Sequence, residues 1–173
     1  MTKSILDDAF RHHIWATDQI INACSGLTMD QLNAPCLGTY GSILDTLRHT
    51  VESDRWYIKR FPEGEHLPGI EEDNQMTMAE MRMAMSANGE AWLKLLEREL
   101  DPDTELVLRS DDGSEFHTTV GVRLAQAVHH GTDHRSQICT ALTSIGIEPP
   151  GIDVWSYADA AGRQWDVAAP AAN

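Results

Sequence analysis

Four amphipathic segments, separated by breaks rich in Gly and Pro, constrain the fold of this chain most strongly. In each segment apolar residues recur every three or four positions, which places them on one face of a helix. The predicted helices span residues 4–24, 42–61, 77–99 and 119–146. The sequence therefore predicts a mostly helical single domain over residues 1–173, with a frayed tail from about residue 164.

Capping residues support the starts of these helices. Hydroxyl side chains that can accept a backbone N–H stand at Ser4, Ser42, Thr77 and Thr118 or Thr119. Asp45 and Glu80 follow two of these hydroxyls three residues later, which is the spacing of a capping box.

The segments between the predicted helices contain residues that predict turns, a loop and a hairpin. A short turn is expected at 28–32, and the acidic run at 62–75 is expected to be a solvated loop. Two extended runs flank Asp112-Gly113, a hairpin turn signal, and such a hairpin has to pack on the helices or on a partner. After the fourth helix, a short turn or helix is expected to dock through Ile152, Trp155 and Tyr157.

The stretch HHGTDHRSQI, from His129 to Ile138, carries the strongest chemical signal. His130 and His134 are four residues apart, so in a helix both rings project from one face and can share one metal ion. Gly131 stands where the zinc helix of metalloproteases has its catalytic Glu. The spacing alone is equally compatible with two core or surface histidines that have hydrogen-bond partners.

A third histidine in a suitable setting favours the metal. His49 lies at the edge of the apolar face of the second helix, where internal sites of helical bundles are built, although a hydrogen bond to a neighbouring acid also explains it. His12 and His13 are adjacent, so we expect both to flank the core, with an approach of one to the metal as the alternative. His66, His117 and His129 are not expected to bind a metal.

The composition excludes several classes of function. A net charge of −14 and a pI of about 4.8 disfavour binding to DNA, RNA and anionic membrane surfaces. No stretch has the length of a transmembrane span, and the N-terminus lacks the apolar core of a signal peptide. Three cysteines without CxxC spacing, Cys24, Cys36 and Cys139, are typical of reduced thiols in a cytoplasmic protein, and a nucleophilic role is the less favoured alternative.

Several separated motifs follow the pattern of one known superfamily in the same order. HHIWATDQII resembles the opening aromatic-x-x-WAN, with His12 at the aromatic position and Thr17 in place of Asn. GSILDTLRHTVESDRWY resembles GS-x-x-x-x-L-x-H followed by an aromatic residue. HHGTDHRSQI resembles NH-x-x-x-HRGQI, with His129 for Asn and Ser136 for Gly, and IGIEPPGID resembles LG-x-x-PP-x-x-D. Together these motifs resemble the DinB/YfiT-like superfamily of metal-dependent enzymes.

The resemblance implies an all-α fold, a four-helix bundle, to which the turn signal at Asp112-Gly113 adds a short hairpin or extended segment before the fourth helix. It also implies one divalent transition metal held by His49, His130 and His134, a homodimer, and an activity similar to thiol S-transferases. Zn, Ni, Fe and Mn all suit a histidine site, so the sequence leaves the metal open.

Three neutral ligands would leave the ion its full charge and an open position, which is typical of catalytic sites. Such an ion acidifies water or deprotonates a thiol, so the expected function is a metal-dependent hydrolase or thiol S-transferase acting on a small molecule. A non-catalytic metal-binding or stress-response protein is the alternative, and a purely structural bundle is third. The side chains expected to support the site or a substrate are Asp45, Glu52, Asp54, Arg135 and Gln137.

Overall fold

The computed structural model describes residues 5–61 and 75–168, which form six helices and a two-stranded sheet. The elements are α1 (Ile5–Cys24), α2 (Met29–Leu32), α3 (Ile43–Ile58), α4 (Met78–Leu96), β1 (Glu105–Arg109), β2 (Glu115–Thr119), α5 (Val120–Ser144) and α6 (Val154–Ala160). The predicted four long helices are therefore α1, α3, α4 and α5, each within a few residues of its predicted bounds. The prediction of a cap at Ser4 and most of the acidic run predicted at 62–75, with His66, lie outside the described residues.

Reciprocal side-chain bonds begin two of the long helices. Ser42 accepts the backbone N–H of Asp45, whose carboxylate accepts from the backbone N–H of Ser42. Thr77 and Glu80 form the same capping box at α4. Thr119 caps α5, which decides between the two predicted threonines. These local bonds explain why the helix starts could be located from the sequence.

The four long helices pack in a ring. Helices α1 and α3 each contact both α4 and α5. Their apolar faces form two clusters, one around Ile20, Leu47 and Met85 and the other around Phe10 and Trp92. The fold is thus mostly helical, with all its long helices sharing the core.

The predicted hairpin is present between α4 and α5. Strands β1 and β2 are antiparallel, and Leu106 pairs with Thr118. Gly113 has a φ of +84°, a left-handed conformation that suits glycine in the turn. Leu106 is buried and joins the cluster around Phe10 and Trp92, so the hairpin packs on the helices as expected.

The prediction that His12 and His13 flank the core is wrong, since both are buried. His13 faces the helix ring, and α6 covers His12, whose Nε2–H donates to the Ile152 carbonyl at 2.8 Å. Two adjacent residues of α1 can be buried because α1 is covered on two sides. Tyr157 is buried in this contact, whereas Trp155, also predicted to dock, is 73% exposed.

No helix among residues 5–61 and 75–168 combines the length and the apolar character that crossing a membrane requires. Large apolar side chains are exposed near the C-terminal end, including Trp155, Trp165 and Val167.

Candidate metal centre

Three histidine side chains converge between α3 and α5. The Nε2 atom of His130 lies 3.1 Å from Nε2 of His49 and 3.1 Å from Nε2 of His134. These three residues form a group of donor atoms that could hold a metal ion. The convergence agrees with the sequence-based prediction of which histidines meet.

The helices explain this convergence. His130 and His134 are one turn apart on α5, and His49 comes from α3, which packs along α5. His49 is half-buried, as is His130, and His134 is buried at 8% exposure. The cluster therefore sits at the edge of the core, where one side can open to a ligand.

Hydrogen bonds fix the tautomer of His134. The backbone N–H of Tyr40 donates to Oε1 of Gln137 at 3.0 Å, which identifies that atom as the amide oxygen. Nδ1 of His134 lies 3.0 Å from the same oxygen, so Nδ1 carries the proton and donates it. Nε2 of His134 is then a bare lone pair that points at the other two rings.

The three Nε2 atoms of the cluster cannot all be paired by hydrogen bonds. Nε2 of His130 can donate its single proton to only one neighbour, so a neutral cluster cannot supply a donor for both of its 3.1 Å contacts. A cation accepts all three lone pairs at once. Nitrogen atoms 3.1 Å apart can both lie about 2.0–2.1 Å from one ion, so the residues present fit a transition metal.

Two tyrosines line the cluster, and the sequence analysis did not single them out. The Tyr40 ring stacks on His49 with centroids 4.1 Å apart and planes 13° apart. Tyr57 meets His130 edge to face at 5.6 Å, and its hydroxyl accepts from Gln126 at 3.2 Å. Tyr40 lies in a connection without periodicity, so only its position just before the cap of α3 could have pointed to it.

Burial favours the neutral form of His130 and of His49. Desolvation lowers the pKa of His130 to about 4, with smaller contributions from His134 and His49. Desolvation and the nearby His134 also lower the pKa of His49. Neutral imidazoles have the free lone pairs that a metal requires.

The metal-free protein is expected to lose stability as the pH falls from about 6.5 towards 4. The folded pKa of His130 is below the unfolded value, so the unfolded chain binds more protons in this window and is stabilised relative to the folded protein. The shift converts to about 3 kcal/mol, which solvent screening reduces to about 1–2 kcal/mol. Urea unfolding of metal-free wild type and His130→Gln across this range measures it, and parallel stability curves would contradict it.

Asp54 and Arg135 belong to a buried network beside the cluster. Nε2–H of His13 donates to both carboxylate oxygens of Asp54, at 3.0 and 2.9 Å. Nη1 of Arg135 donates to Nδ1 of His13 and to Thr17 Oγ1, both at 3.0 Å. His13 is therefore a neutral bridge between a buried guanidinium and a buried carboxylate.

This placement differs from what the sequence suggested. Asp54 was expected to support a metal-binding imidazole, but its carboxylate accepts from His13. Arg135 was expected to support the site or a substrate, but it is 2% exposed inside the core. The reason is that His13 of α1 lies within hydrogen-bond distance of both side chains.

Gly131 leaves room for this network. A Cβ atom there would lie 2.3 Å from Cε1 of His13 and 2.8 Å from Nη1 of Arg135. A residue with a side chain, such as the Glu of metalloproteases, would collide with the network. The packing thus explains the departure from the protease pattern.

We expect Gly131→Ala to destabilise the protein by about 2–3 kcal/mol, because the new methyl group overpacks the core. Thermal unfolding measures this effect. Gly26→Ala is the matched control, since a Cβ there meets nothing within 4 Å. Equal stability of the two variants would contradict the packing argument.

The remaining candidates lie in other contacts. Asp45 is engaged at the cap of α3, and Glu52 lines a pocket beside His49. His129 is exposed, and His117 lies on β2 between Glu105 and Glu115. Gln137 is the predicted supporting residue that contacts a histidine of the cluster.

The three cysteines form no disulfide. Burial raises the pKa of Cys24 to about 12 and also raises the pKa of Cys139. Both thiols are therefore protonated at neutral pH, which makes them poor nucleophiles.

A pocket of about 510 Å³ opens from the cluster along α3. Its lining includes His49 and His130 at one end and Trp56 and Arg60 beyond them. A small molecule in this pocket could touch the histidines directly, which suits an accessible site rather than a closed structural one.

Comparison with known proteins agrees with this geometry. Residues 1–167 match the family model described as DinB family. The chain is also 24% identical over 155 residues to Protein DinB of Bacillus subtilis (strain 168), an alignment that covers 86% of this chain and 90% of that protein. The matched region includes all four long helices and the three converging histidines, and the chain therefore belongs to the DinB family.

Proposed function

We propose that His49, His130 and His134 hold one divalent transition metal, Zn, Ni, Fe or Mn, through their Nε2 atoms. The observation that carries the proposal is the convergence of these three atoms at the end of an open pocket. The tautomer of His134 and the shortage of protons in the cluster support it further.

We propose that the protein is an enzyme that joins a low-molecular-weight thiol to an electrophile. The metal would act as a Lewis acid that lowers the pKa of a thiol or water placed against it. Gln137 and Tyr40 hold two of the imidazoles in position, and the pocket orients the small molecule beside them. The raised pKa values of Cys24 and Cys139 favour an external thiol over one of the protein's own.

Hydrolysis is the second candidate, and Glu52 favours it. This carboxylate lines the same pocket as His49 and His130, where it could accept a proton from attacking water. A metal-binding protein without turnover is the non-enzymatic alternative.

The test begins with protein stripped of metal and reloaded separately with Zn, Ni, Fe or Mn. Each form is incubated with a small thiol and an alkyl halide, and the thioether product is measured by mass spectrometry. Hydrolysis of an ester is measured separately for comparison. We expect metal-dependent thioether formation in wild type and loss of it in His49→Ala. Metal binding without either product would favour the non-catalytic alternative, and absence of metal binding would reject the proposal.

We also assign the ring of α1, α3, α4 and α5 to the four-helix-bundle architecture, and we propose a homodimer. The exposed side chains Trp155, Trp165 and Val167 support association. Light scattering across micromolar concentrations should give twice the chain mass of 19.2 kDa, and a monomeric mass throughout would reject the dimer.

A further inference from the structure

Tyr57 is a side chain of the pocket that the proposed metal site does not use. It lies on α3 eight residues after His49, it is half-buried, and it lines the pocket together with His49 and His130. Its ring meets the His130 ring edge to face, with centroids 5.6 Å apart. A small molecule that touches the histidines from this pocket therefore also has Tyr57 within reach.

The hydrogen bonds of Tyr57 leave its proton available. Nε2–H of Gln126 donates to the phenolic oxygen at 3.2 Å, so Gln126 occupies a lone pair of that oxygen and leaves its O–H free. The O–H has no acceptor of its own among residues 5–61 and 75–168. A phenol that accepts a bond from the protein in this way can donate its own bond to a ligand.

The surroundings of the hydroxyl stabilise negative charge on its oxygen. The bond from Gln126 strengthens when the oxygen that accepts it is charged. The Arg123 guanidinium is 4% exposed, and its pKa is lowered by desolvation and raised by an electrostatic interaction with Tyr57. A phenolate that has given up its proton would thus be stabilised by both neighbours.

The geometry of α5 places this hydroxyl near the histidines. Gln126, which the hydroxyl contacts, precedes His130 by four residues. Four residues of α-helix make about one turn and advance about 6 Å. A small molecule can therefore meet the histidine cluster with one atom and the Tyr57 hydroxyl with another.

We propose that Tyr57 is a catalytic residue whose O–H donates its proton to an oxygen of the electrophile, which is an epoxide or an α,β-unsaturated carbonyl compound. In both classes an oxygen takes up negative charge when sulfur attacks carbon, and a hydroxyl placed beside that oxygen stabilises the charge. An alkyl halide has no such oxygen. The inference rests on the proposed thiol transfer, because it names the class of electrophile at that site.

Proton transfer from Tyr57 accompanies formation of the carbon–sulfur bond. With an epoxide, the thiolate sulfur bonds to a ring carbon while the bond from that carbon to oxygen breaks. The electron pair of the broken bond goes to the oxygen, which takes the proton of Tyr57. With an unsaturated carbonyl, sulfur bonds to the β-carbon, the displaced π electrons reach the carbonyl oxygen, and that oxygen takes the proton. The phenolate regains a proton from water, and water receives the proton that the thiol lost.

Turnover of matched electrophiles tests this role. Wild type and Tyr57→Phe, loaded with the metal that gives most thioether, receive one small thiol with styrene oxide, phenyl vinyl ketone or benzyl chloride. We expect Tyr57→Phe to lose about 100-fold or more with at least one oxygen-containing electrophile and to stay within about threefold of wild type with benzyl chloride. The rates with styrene oxide and phenyl vinyl ketone distinguish the epoxide from the carbonyl.

Two further variants separate the chemistry from packing. Tyr157→Phe removes a hydroxyl at the contact with α6, outside the pocket lining, and should leave all three rates unchanged. Gln126→Met keeps the Tyr57 hydroxyl but removes its hydrogen-bond donor, and should lower the rate with the preferred oxygen-containing electrophile several-fold. An equal loss with all three electrophiles in Tyr57→Phe would reject the inference and leave the proposed function standing. Absence of thioether from all three in wild type would reject the proposed function and the inference with it.

A spectrum of a bound probe tests the hydrogen bond without turnover. The probe is acetophenone, isotopically labelled at its carbonyl, which resembles the ketone substrate but has no reactive double bond. Infrared spectroscopy measures its carbonyl stretch on the metal-free full-length protein. We expect the frequency to fall on binding to wild type, because Tyr57 donates to the oxygen, and to fall less on binding to Tyr57→Phe. Equal frequencies in the two proteins would overturn the inference.

Discussion

Replacing His130 with Ala is expected to weaken metal binding by more than about 100-fold. Its Nε2 atom is the one that lies 3.1 Å from both other rings, so the variant loses the central ligand of the cluster. Loss of a side chain that merely orients a ligand costs about 10–100-fold in metal affinity, and loss of the ligand itself costs more. Competition with a chelator of known affinity measures the dissociation constant.

His129→Ala is the matched control for this prediction. His129 is adjacent on the same helix and exposed, so its replacement should leave metal affinity within a factor of about two. Equal metal binding by wild type, His130→Ala and His129→Ala would reject the three-histidine metal site. It would also reject the proposed enzymatic function, which depends on that metal.

Replacing Asp54 with Ala is expected to destabilise the protein by about 3–5 kcal/mol, because it leaves the charge of Arg135 buried without its counter-ion. Burial already lowers the pKa of Arg135 to about 10, so the guanidinium is still charged at neutral pH. His13 would also lose the acceptor for its Nε2–H. The unfolding midpoint should fall by about 6–20 °C for a chain of this size.

Two further variants test the cause of that loss. Asp133→Ala removes an exposed carboxylate from α5 and should change stability by at most about 0.5 kcal/mol. Adding Arg135→Met to Asp54→Ala removes the unpaired charge and should restore part of the lost stability. A double variant less stable than either single variant would show that packing, rather than the buried charge, dominates.

Local sequence patterns determined the helices. The apolar periodicity of 77–99 and the capping box of Thr77 with Glu80 each involve residues within a few positions of one another. The structure has both the predicted helix, α4, and its capping box. The turn at Gly113 likewise depends on its immediate neighbours. Such features are set by backbone geometry and hydrogen bonds that the chain makes with itself nearby.

The sequence also indicated which histidines would meet, for two different reasons. The pairing of His130 with His134 follows from helical spacing alone. The choice of His49 over the other histidines depended on its place at the edge of an apolar helix face and on the family resemblance, because nothing in the spacing of residues 81 positions apart says that they touch. The absence of DNA binding stays a prediction from the net charge.

Only the tertiary structure decided the surroundings of the cluster. His13 meets Asp54 across 41 residues and Arg135 across 122, and Tyr40 meets Gln137 across 97. Arginine is a residue type that is usually exposed. The sequence pattern of α5 alone cannot reveal that another helix covers Arg135. Burial is a property of how whole helices pack, so the network under the cluster emerged only when α1, α3 and α5 were brought together.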